Sequence, residues 1–367
     1  MPDWGIALTP AKTADVHFAA APVPILLHAI LLMNIVRADN NDALPGVTHT
    51  PRSIARALTT EQRTDLSMMY WLIGDHLLFD HQQLGFPEFL DTLEQLDAVA
   101  LRDDAIGWMQ HKEGFRGCEA VLSDFSAYEA IIQPVYEEKS ELLGEYDSEL
   151  HRQLWGLLQD PLSLKARIIH FLRFMWSQYL RDEWKHIQPT VVECVEAFRQ
   201  QDYSRLTTAE IVEHVTLRDL QREEFFAKEI QNAKHITFIP TPYLGPYVTW
   251  MHDEASGRDL VFFGVRQPRD ISQRSAPLNR NELLIWLNAL ADETRLRMLE
   301  MLTREEEICA QDFITTLELS QSSASRHLRQ LTASGYLTER RRDVAKCYSL
   351  NRERVEETIR ALQQLLV

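Results

Sequence analysis

The chain has 367 residues, more than a single compact domain usually contains, so we expect two domains. Its 54 acidic residues outnumber the 38 basic ones, and the net charge of −16 argues against a protein that contacts nucleic acid over most of its surface. The four cysteines include no Cys-x-x-Cys pair, which indicates neither a disulfide framework nor a zinc ribbon and fits a reducing, cytoplasmic location.

Residues 1–266 are predicted to form a mostly helical first domain. A short strand over 15–19 leads into an apolar run that contains two prolines, a histidine and an asparagine and follows no basic leader. This run is therefore predicted to be a buried helix rather than a signal or membrane segment. Apolar residues at spacings of three and four then predict helices over 51–58, 61–79, 87–100, 103–112, 125–143, 148–158, 162–185, 189–200 and 209–232.

The apolar period changes to two after residue 235, which is typical of β strands. Gly257 lies between the last two alternating segments, where a hairpin turn favours glycine. The polar residues 267–278 include Pro268 and Pro277, and they are predicted to link the first domain to a second domain at 279–367. The predicted strands cover 236–239, 247–251 and 260–265.

The C-terminal segment shows three helical patterns followed by two strand-like patterns. The first helix opens on Asp292 and Glu293, which suit the positive end of a helix dipole, and carries Leu296, Leu299 and Leu302 on its predicted inner face. The elements cover 292–302, 310–317, 321–334, 336–340 and 345–350. This order predicts a winged helix-turn-helix whose third helix enters the major groove. The fold class is therefore predicted as mainly α: a helical N-terminal domain with a small antiparallel sheet, followed by a C-terminal winged helix-turn-helix domain.

The outer face of the third helix combines small polar and cationic side chains. Ser320 is the expected N-cap, and Gly335 supplies the left-handed residue that ends the helix. Small side chains allow the backbone to approach the bases, while the cations of the following hairpin suit phosphates. The candidate DNA contacts are Gln321, Ser322, Ser323, Ser325, Arg326, His327, Arg340, Arg341, Arg342 and Lys346.

Charge is distributed unevenly between the two predicted domains. Residues 279–367 contain 13 basic and 14 acidic residues, whereas the preceding residues contain 25 and 40. Within 321–350, six cations accompany only two acidic residues, the pattern expected for contact with the phosphate backbone. The acidity that argues against DNA binding therefore belongs to the first domain.

Several phrases of the C-terminal segment, in the same order, resemble the ArsR/SmtB family of bacterial winged-helix regulators. They are Leu-Ala-Asp-Glu-Thr-Arg-Leu at 290–296, Leu-Ser-Gln-Ser-Ser-Ala-Ser-Arg-His-Leu at 319–328 and Ala-Ser-Gly-Tyr-Leu at 333–337. The resemblance implies a transcriptional regulator, expected to be a repressor, that binds a pseudo-palindromic operator in double-stranded DNA as a homodimer. Family dimers form through the helices flanking the winged helix, which here carry Leu283, Leu284, Trp286, Leu287, Val355, Ile359, Leu362 and Leu366.

Metal-sensing members of that family carry two cysteines where this chain has Cys309 and Gln311. A soft metal ion needs at least two thiolates, so a thiolate beside an amide is a poor ligand set. The final helix contains no histidine for the family's other metal site. Glu183 and His186 have the spacing used in di-iron bundles, but no second copy accompanies them. We therefore expect no metal and no cofactor, and Cys309 is interpreted as a small buried helix residue.

The first domain carries fewer functional signals. The sequence contains no phosphate-binding loop, dinucleotide fingerprint, nucleophile elbow or His-Glu-x-x-His motif, so we do not expect an enzyme. Trp176, Tyr179, Tyr247 and Trp250 are candidates for lining an effector pocket, although such residues are more often simply core. Two alternatives remain open: a protein-interaction scaffold whose winged helix contacts another protein, which the net charge favours, and an uncharacterised enzyme domain under DNA-binding control.

Overall fold

The structure is a computed structural model that describes residues 13–37, 49–110, 117–254, 256–268, 280–342 and 345–366. The chain forms two compact units. The helical unit comprises Ala20–Val192 and Thr241–Gly245, and the mixed unit comprises Met1–Ala19, Glu193–Pro240 and Pro246–Val367. All but the first two residues of the predicted linker lie outside the described residues, so the predicted domain boundary there stays a prediction.

The helical unit contains most of the helices predicted from the sequence, and the mainly α fold class is confirmed. Its described helices are α1 (Pro22–Arg37), α2 (His49–Ala57), α3 (Thr60–Leu72), α4 (Asp75–Phe79), α5 (Phe86–Gln95), α6 (Ala98–Gln110), α7 (Cys118–Ser123), α8 (Phe125–Leu143), α9 (Ser148–Gln159), α10 (Pro161–Met175) and α11 (Arg181–Arg199). The last of these continues into the mixed unit. None of the described helices is long and apolar enough to cross a membrane.

The single helix predicted over 61–79 is in fact two helices, α3 and α4. Helix α3 begins at a capping box, in which Thr59 and Gln62 each accept a hydrogen bond from the other's backbone N–H. It ends at Ile73, whose backbone leaves helical geometry at φ −82° and ψ 88°. The apolar residues of α4 continue the helical spacing across this break, so periodicity alone does not reveal it.

The core of the helical unit contains α1 and α10. Val23, Ile25 and Leu26 of α1 have no exposed surface, as expected for a helix that is apolar on all sides. Helix α10 passes through a π-helical turn, Trp176–Leu180, directly into α11. The two helices predicted over 162–185 and 189–200 therefore form one run, and Pro189 lies inside α11.

The mixed unit contains a four-stranded sheet in the order β1–β2–β4–β3. Strand β1 (Asp15–Phe18) pairs in parallel with β2 (His235–Thr241), whereas β3 (Thr249–Asp253) and β4 (Arg258–Gly264) form the predicted antiparallel hairpin. Gly257 in the hairpin turn has φ +64°. The parallel pair corrects the expectation of a purely antiparallel sheet. Since no short turn joins β1 to β2, local sequence patterns carry no information about their direction.

Two helices replace the one predicted over 209–232. They are α12 (Thr208–Thr216), which starts at a capping box formed by Thr207 and Glu210, and α13 (Glu224–Asn232). Leu217 ends α12 in the left-handed region at φ 56°. A leucine in this conformation is uncommon, so the sequence offers no signal for the break.

The C-terminal part of the mixed unit is a winged helix-turn-helix. Its described elements are α14 (Arg280–Leu290), α15 (Glu293–Arg304), β5 (Ile308–Cys309), α16 (Ala310–Leu317), α17 (Gln321–Ala333), β6 (Leu337–Arg342), β7 (Ala345–Leu350) and α18 (Arg352–Leu366). The helices and strands predicted between 292 and 350 are confirmed with small shifts at their ends. The strand that the sequence did not predict, β5, pairs with β7 in a sheet of order β5–β7–β6.

Apolar residues from every part of this module form its core, including Met298, Phe313, Leu328 and Tyr336. One inner-face prediction is wrong, because Leu296 is 51% exposed. Its neighbour Arg295 is buried instead, and the guanidinium donates hydrogen bonds to the carbonyl oxygens of Ala289 at 2.6 Å and Asn288 at 3.0 Å. A cation with these partners can occupy the inner face, which a count of apolar residues does not anticipate.

Candidate nucleic-acid interface

The N-terminal end of α17 presents polar side chains to solvent. Ser320 caps the helix, and its Oγ accepts a hydrogen bond from the Ser323 N–H at 3.2 Å. Gln321 and Ser322, the first two residues of the helix, are exposed. The predicted inner face is buried; it consists of Ala324, Leu328 and Leu331. The face of α17 that the sequence predicts to point inward is therefore the buried one.

The polar row continues along the first two turns of α17. Ser323, Ser325 and Arg326 are half-buried, so each keeps an exposed edge. Arg326 Nη2 donates a hydrogen bond to Ser323 Oγ at 3.3 Å, and this contact holds the guanidinium along the helix. Small side chains with one cation beside them form a surface that a nucleic-acid groove can approach closely.

His327 lies on a different side of α17 from the polar row. It is 9% exposed, and its Nδ1 lies 3.6 Å from Asp292 Oδ1. Asp292 also caps α15, because its side chain accepts a hydrogen bond from the Arg295 N–H at 2.9 Å. This burial favours a role for His327 in fixing α17 against the start of α15. All ten candidate DNA contacts stay predictions.

The cations of the wing, β6 and β7, are partly engaged by acidic side chains. Arg340 forms an ion pair with Glu307, with Nη2 3.0 Å from Oε1, and the Arg340 hydrogen bond lowers the pKa of the Glu307 carboxyl. Lys346 Nζ lies 2.9 Å from Glu339 Oε1. Arg342 is exposed, whereas the side chain of Arg341 lies outside the described residues. The wing is cationic, but less so than a count of its basic residues indicates.

Cys309 and Cys347 lie opposite each other in the β5–β7 pair and form a disulfide. Cys347 is fully buried, and Cys309 is the N-cap residue of α16. Two expectations are thereby corrected: Cys309 is a half-buried strand residue rather than a buried helix residue, and two of the four cysteines form a disulfide although no disulfide framework was expected. The sequence did not reveal the pair because it depends on the register of β5, which has only two residues.

Arg354 of α18 joins the winged helix to an earlier part of the mixed unit. Its guanidinium lies 4.0 Å from the centroid of the Trp286 ring, and Nη2 donates to the Leu217 carbonyl oxygen at 2.6 Å. Gly335, at φ +79°, leaves room for this side chain, since a Cβ there would lie 2.7 Å from Arg354 Nε. Sequence reasoning missed this joint because its partners are far apart along the chain.

The four candidate effector-lining residues divide between the two compact units. Trp176 stacks on Phe86 in the helical unit, where Tyr179 lies in the same π-helical turn. Tyr247 and Trp250 are buried in the mixed unit, and Trp250 Nε1 donates to Asp259 Oδ1 at 2.8 Å. A common pocket formed by all four residues stays a prediction.

The module has two N-capped helices, α15 and α16, followed by α17 with its polar outer row and by the cationic hairpin of β6 and β7. This arrangement defines a regulatory protein of the winged helix-turn-helix class. Residues 292–339 match the family model described as "Bacterial regulatory protein, arsR family". The chain belongs to this family.

Three relatives are similar to the C-terminal part of the chain. The arsenic resistance transcriptional regulator ArsR1 of Pseudomonas putida is 44% identical over 69 residues, which cover 19% of this chain and 54% of the relative. The transcriptional activator HlyU of Vibrio cholerae is 32% identical over 99 residues, 25% of this chain and 91% of the relative. The arsenical resistance operon repressor of Escherichia coli is 46% identical over 52 residues, 14% of this chain and 44% of the relative. The chain thus spans about half of ArsR1 and most of HlyU.

Proposed function

We propose that the protein is a transcriptional regulator that binds double-stranded DNA through its winged helix. In this proposal α17 enters the major groove, where Gln321, Ser322 and Ser325 read base edges and Arg326 contacts bases or phosphates. Arg340, Arg342 and Lys346 hold the phosphate backbone through the wing. The observation that carries the proposal is the exposed polar row of α17 beside a cationic hairpin, on a core that matches the arsR family.

The proposed active form is a homodimer on a pseudo-palindromic operator. Three apolar side chains of α18 are largely exposed: Ile359, Leu365 and Leu366. An exposed apolar face on a terminal helix is a candidate surface for a second copy. Leu283 and Trp286, also predicted at the dimer interface, are buried within their own chain, so α18 supplies the larger share of the proposed interface.

The remaining residues of the chain are proposed to sense an effector that alters DNA affinity. An acidic region near an operator weakens electrostatic attraction to DNA, so its presence favours a regulatory role over an additional DNA contact. The Arg354–Leu217 contact gives the mixed unit a direct connection between the winged helix and its upstream residues. Relatives include a named repressor and a named activator, and we propose repression for this chain.

The test begins with genome-wide mapping of the sites that the tagged protein binds, followed by affinity measurements on the operator so defined. We expect the full-length protein to prefer this operator over a scrambled duplex. Gln321→Ala should reduce the preference, since a good base contact contributes about 1–3 kcal/mol of discrimination. The matched control is Gln311→Ala, which removes an exposed glutamine from α16. Equal affinity for operator and scrambled duplex contradicts the proposal.

A further inference from the structure

Three side chains with metal-binding atoms meet in the mixed unit, outside the winged helix. His252 on β3 lies directly opposite Asp259 on β4, and Glu229 comes from the last turn of α13. One ligand atom from each residue lies within 4.8 Å of the other two. An imidazole nitrogen with two carboxylate oxygens is a ligand set for divalent first-row transition metal ions.

Asp259 provides independent evidence for an occupant of this cluster. Its side chain is 1% exposed, and Oδ1 accepts a hydrogen bond from Trp250 Nε1 at 2.8 Å and lies 2.9 Å from His252 Nδ1. Oδ2 is also buried, and it has no hydrogen-bond partner among the residues that the structure describes. A buried carboxylate oxygen without a partner lowers the stability of the fold. A cation bound to Oδ2 removes this penalty.

Glu229 adds a second negative charge beside Asp259. Within the described part of the chain, its carboxylate has no hydrogen bond or ion pair. It also lies near the C-terminal end of α13, where the helix dipole disfavours negative charge. Two carboxylates this close repel each other unless a proton or a cation lies between them. A divalent ion supplies two positive charges and contacts all three side chains.

The distances suit a bound metal ion. Ligands bound at about 2.1 Å place neighbouring ligand atoms roughly 3 to 4 Å apart. His252 Nδ1 and Asp259 Oδ1 lie 2.9 Å apart, so the imidazole and the carboxylate are already held side by side, and Oδ2 has no hydrogen-bond partner among the described residues. Glu229, half-buried at the end of its helix, needs to approach by no more than about 1 Å. The Trp250 hydrogen bond fixes the orientation of the Asp259 carboxylate, as partners of metal ligands commonly do.

We propose that Glu229, His252 and Asp259 bind one divalent transition metal ion, with water completing its coordination. The proposal does not depend on DNA binding by the winged helix. It departs from the expectation of no metal, which was based on the cysteines and on the Glu183–His186 pair of one helix. The cluster joins a cross-strand pair, His252 and Asp259, to Glu229 of a helix. Its members therefore follow no regular spacing along the sequence.

The test measures Co²⁺ and Zn²⁺ binding by the full-length protein with equilibrium dialysis and absorption spectroscopy. We expect one Co²⁺ per chain, with weak visible bands and without the strong near-ultraviolet band of a cobalt–thiolate bond. The absence of that band excludes binding through a cysteine thiolate. Glu229→Gln and His252→Asn should each weaken binding by at least about ten-fold. The control, Glu254→Gln, removes the same charge from an exposed position in the same hairpin and should leave the affinity unchanged.

Circular dichroism of each variant establishes that it is folded before its affinity is compared. Three outcomes overturn the proposal: no binding of either ion by the wild-type protein, equal affinity in the folded Glu229→Gln variant, or a strong cobalt–thiolate band in the wild-type complex.

Discussion

At the scale of single residues, the ion pair between Arg340 and Glu307 limits the charge that the wing presents to DNA. Glu307→Gln removes the carboxylate and leaves Arg340 available for a phosphate. Solvent screens an exposed ion pair, so we expect operator affinity to rise by only roughly two- to five-fold at low salt. Fluorescence anisotropy with a labelled operator measures this change. Glu306→Gln is the control for net charge, and an equal effect of both substitutions shows that the ion pair is unimportant.

His151 is a second residue with a measurable consequence, in the helical unit. Its Nδ1 lies 2.6 Å from Tyr128 Oη and its Nε2 lies 3.0 Å from Tyr136 Oη. Burial lowers the pKa of this imidazole from 6.5 to about 4. Between these pH values the unfolded chain binds a proton that the folded chain does not. Folding stability therefore falls as the pH decreases from about 6.5 to 4, by roughly 1 kcal/mol per pH unit.

The expected result is that His151→Gln reduces this pH dependence, because glutamine offers a donor and an acceptor but does not titrate. Urea unfolding at several pH values between 7 and 4 measures the slope. His170→Gln is the control, since His170 is an exposed histidine of α10. His28, whose pKa burial lowers to about 3, contributes a similar dependence that remains in both variants. If folding stability depends on pH equally in His151→Gln and in the wild-type protein, His151 is not the source of this dependence.

At the scale of secondary-structure elements, the wing is expected to contact phosphates rather than bases. Replacing Arg340 and Arg342 by alanine should weaken binding to operator and scrambled DNA almost equally. Each lost phosphate contact should reduce the slope of log affinity against log salt by roughly 0.9. The control is Arg297→Ala, which removes an exposed cation from α15. A loss confined to the operator shows instead that the wing reads sequence.

Helix α18 is the element on which the proposed homodimer depends. Ile359 is 52% exposed, and Leu366 is 76% exposed, so substitution by aspartate should disturb the fold of one chain little. We expect Ile359→Asp with Leu366→Asp to convert the protein to a monomer and to weaken operator binding. Analytical ultracentrifugation gives the mass, and Gln363→Asp is the control at an exposed polar position. A dimer that persists in the double variant requires another interface.

Elements with a strong local signal were predictable from the sequence, whereas pairings between distant elements were not. The caps Asp292 and Ser320 mark the starts of α15 and α17 because a side-chain oxygen satisfies free backbone amides at those positions. The breaks at Ile73 and Leu217 carry no such signal. The same distinction applies to the interface: the polar row of α17 follows from helical spacing. The Arg340–Glu307 and Cys309–Cys347 pairs depend on strand register, which local sequence does not determine.

At the scale of the whole molecule, an acidic region of 278 residues precedes a module that has its own core. Among the described residues, those that form the winged-helix core lie from Trp286 to Val355. A segment of 279–367 is therefore expected to fold by itself, although it loses the contact between Arg354 and the Leu217 carbonyl. Circular dichroism and thermal unfolding of the segment establish whether it does.

Binding of this segment and of the full-length protein can be compared on the same operator. The removed residues contain 40 acidic and 25 basic side chains, and their charge repels DNA over about 10 Å at 0.1 M salt. We expect the segment to bind scrambled DNA more tightly than the full-length protein at low salt, with a difference that fades as salt is raised.

An effector can change operator affinity only through different affinities for two arrangements of the protein, typically about 1–3 kcal/mol of coupling. Fractionated small molecules from cell extract should therefore alter binding by the full-length protein and leave the segment unaffected. If both bind equally at every salt concentration and no fraction changes either, the upstream residues are not a sensor, and a scaffold for protein partners becomes the better account of them.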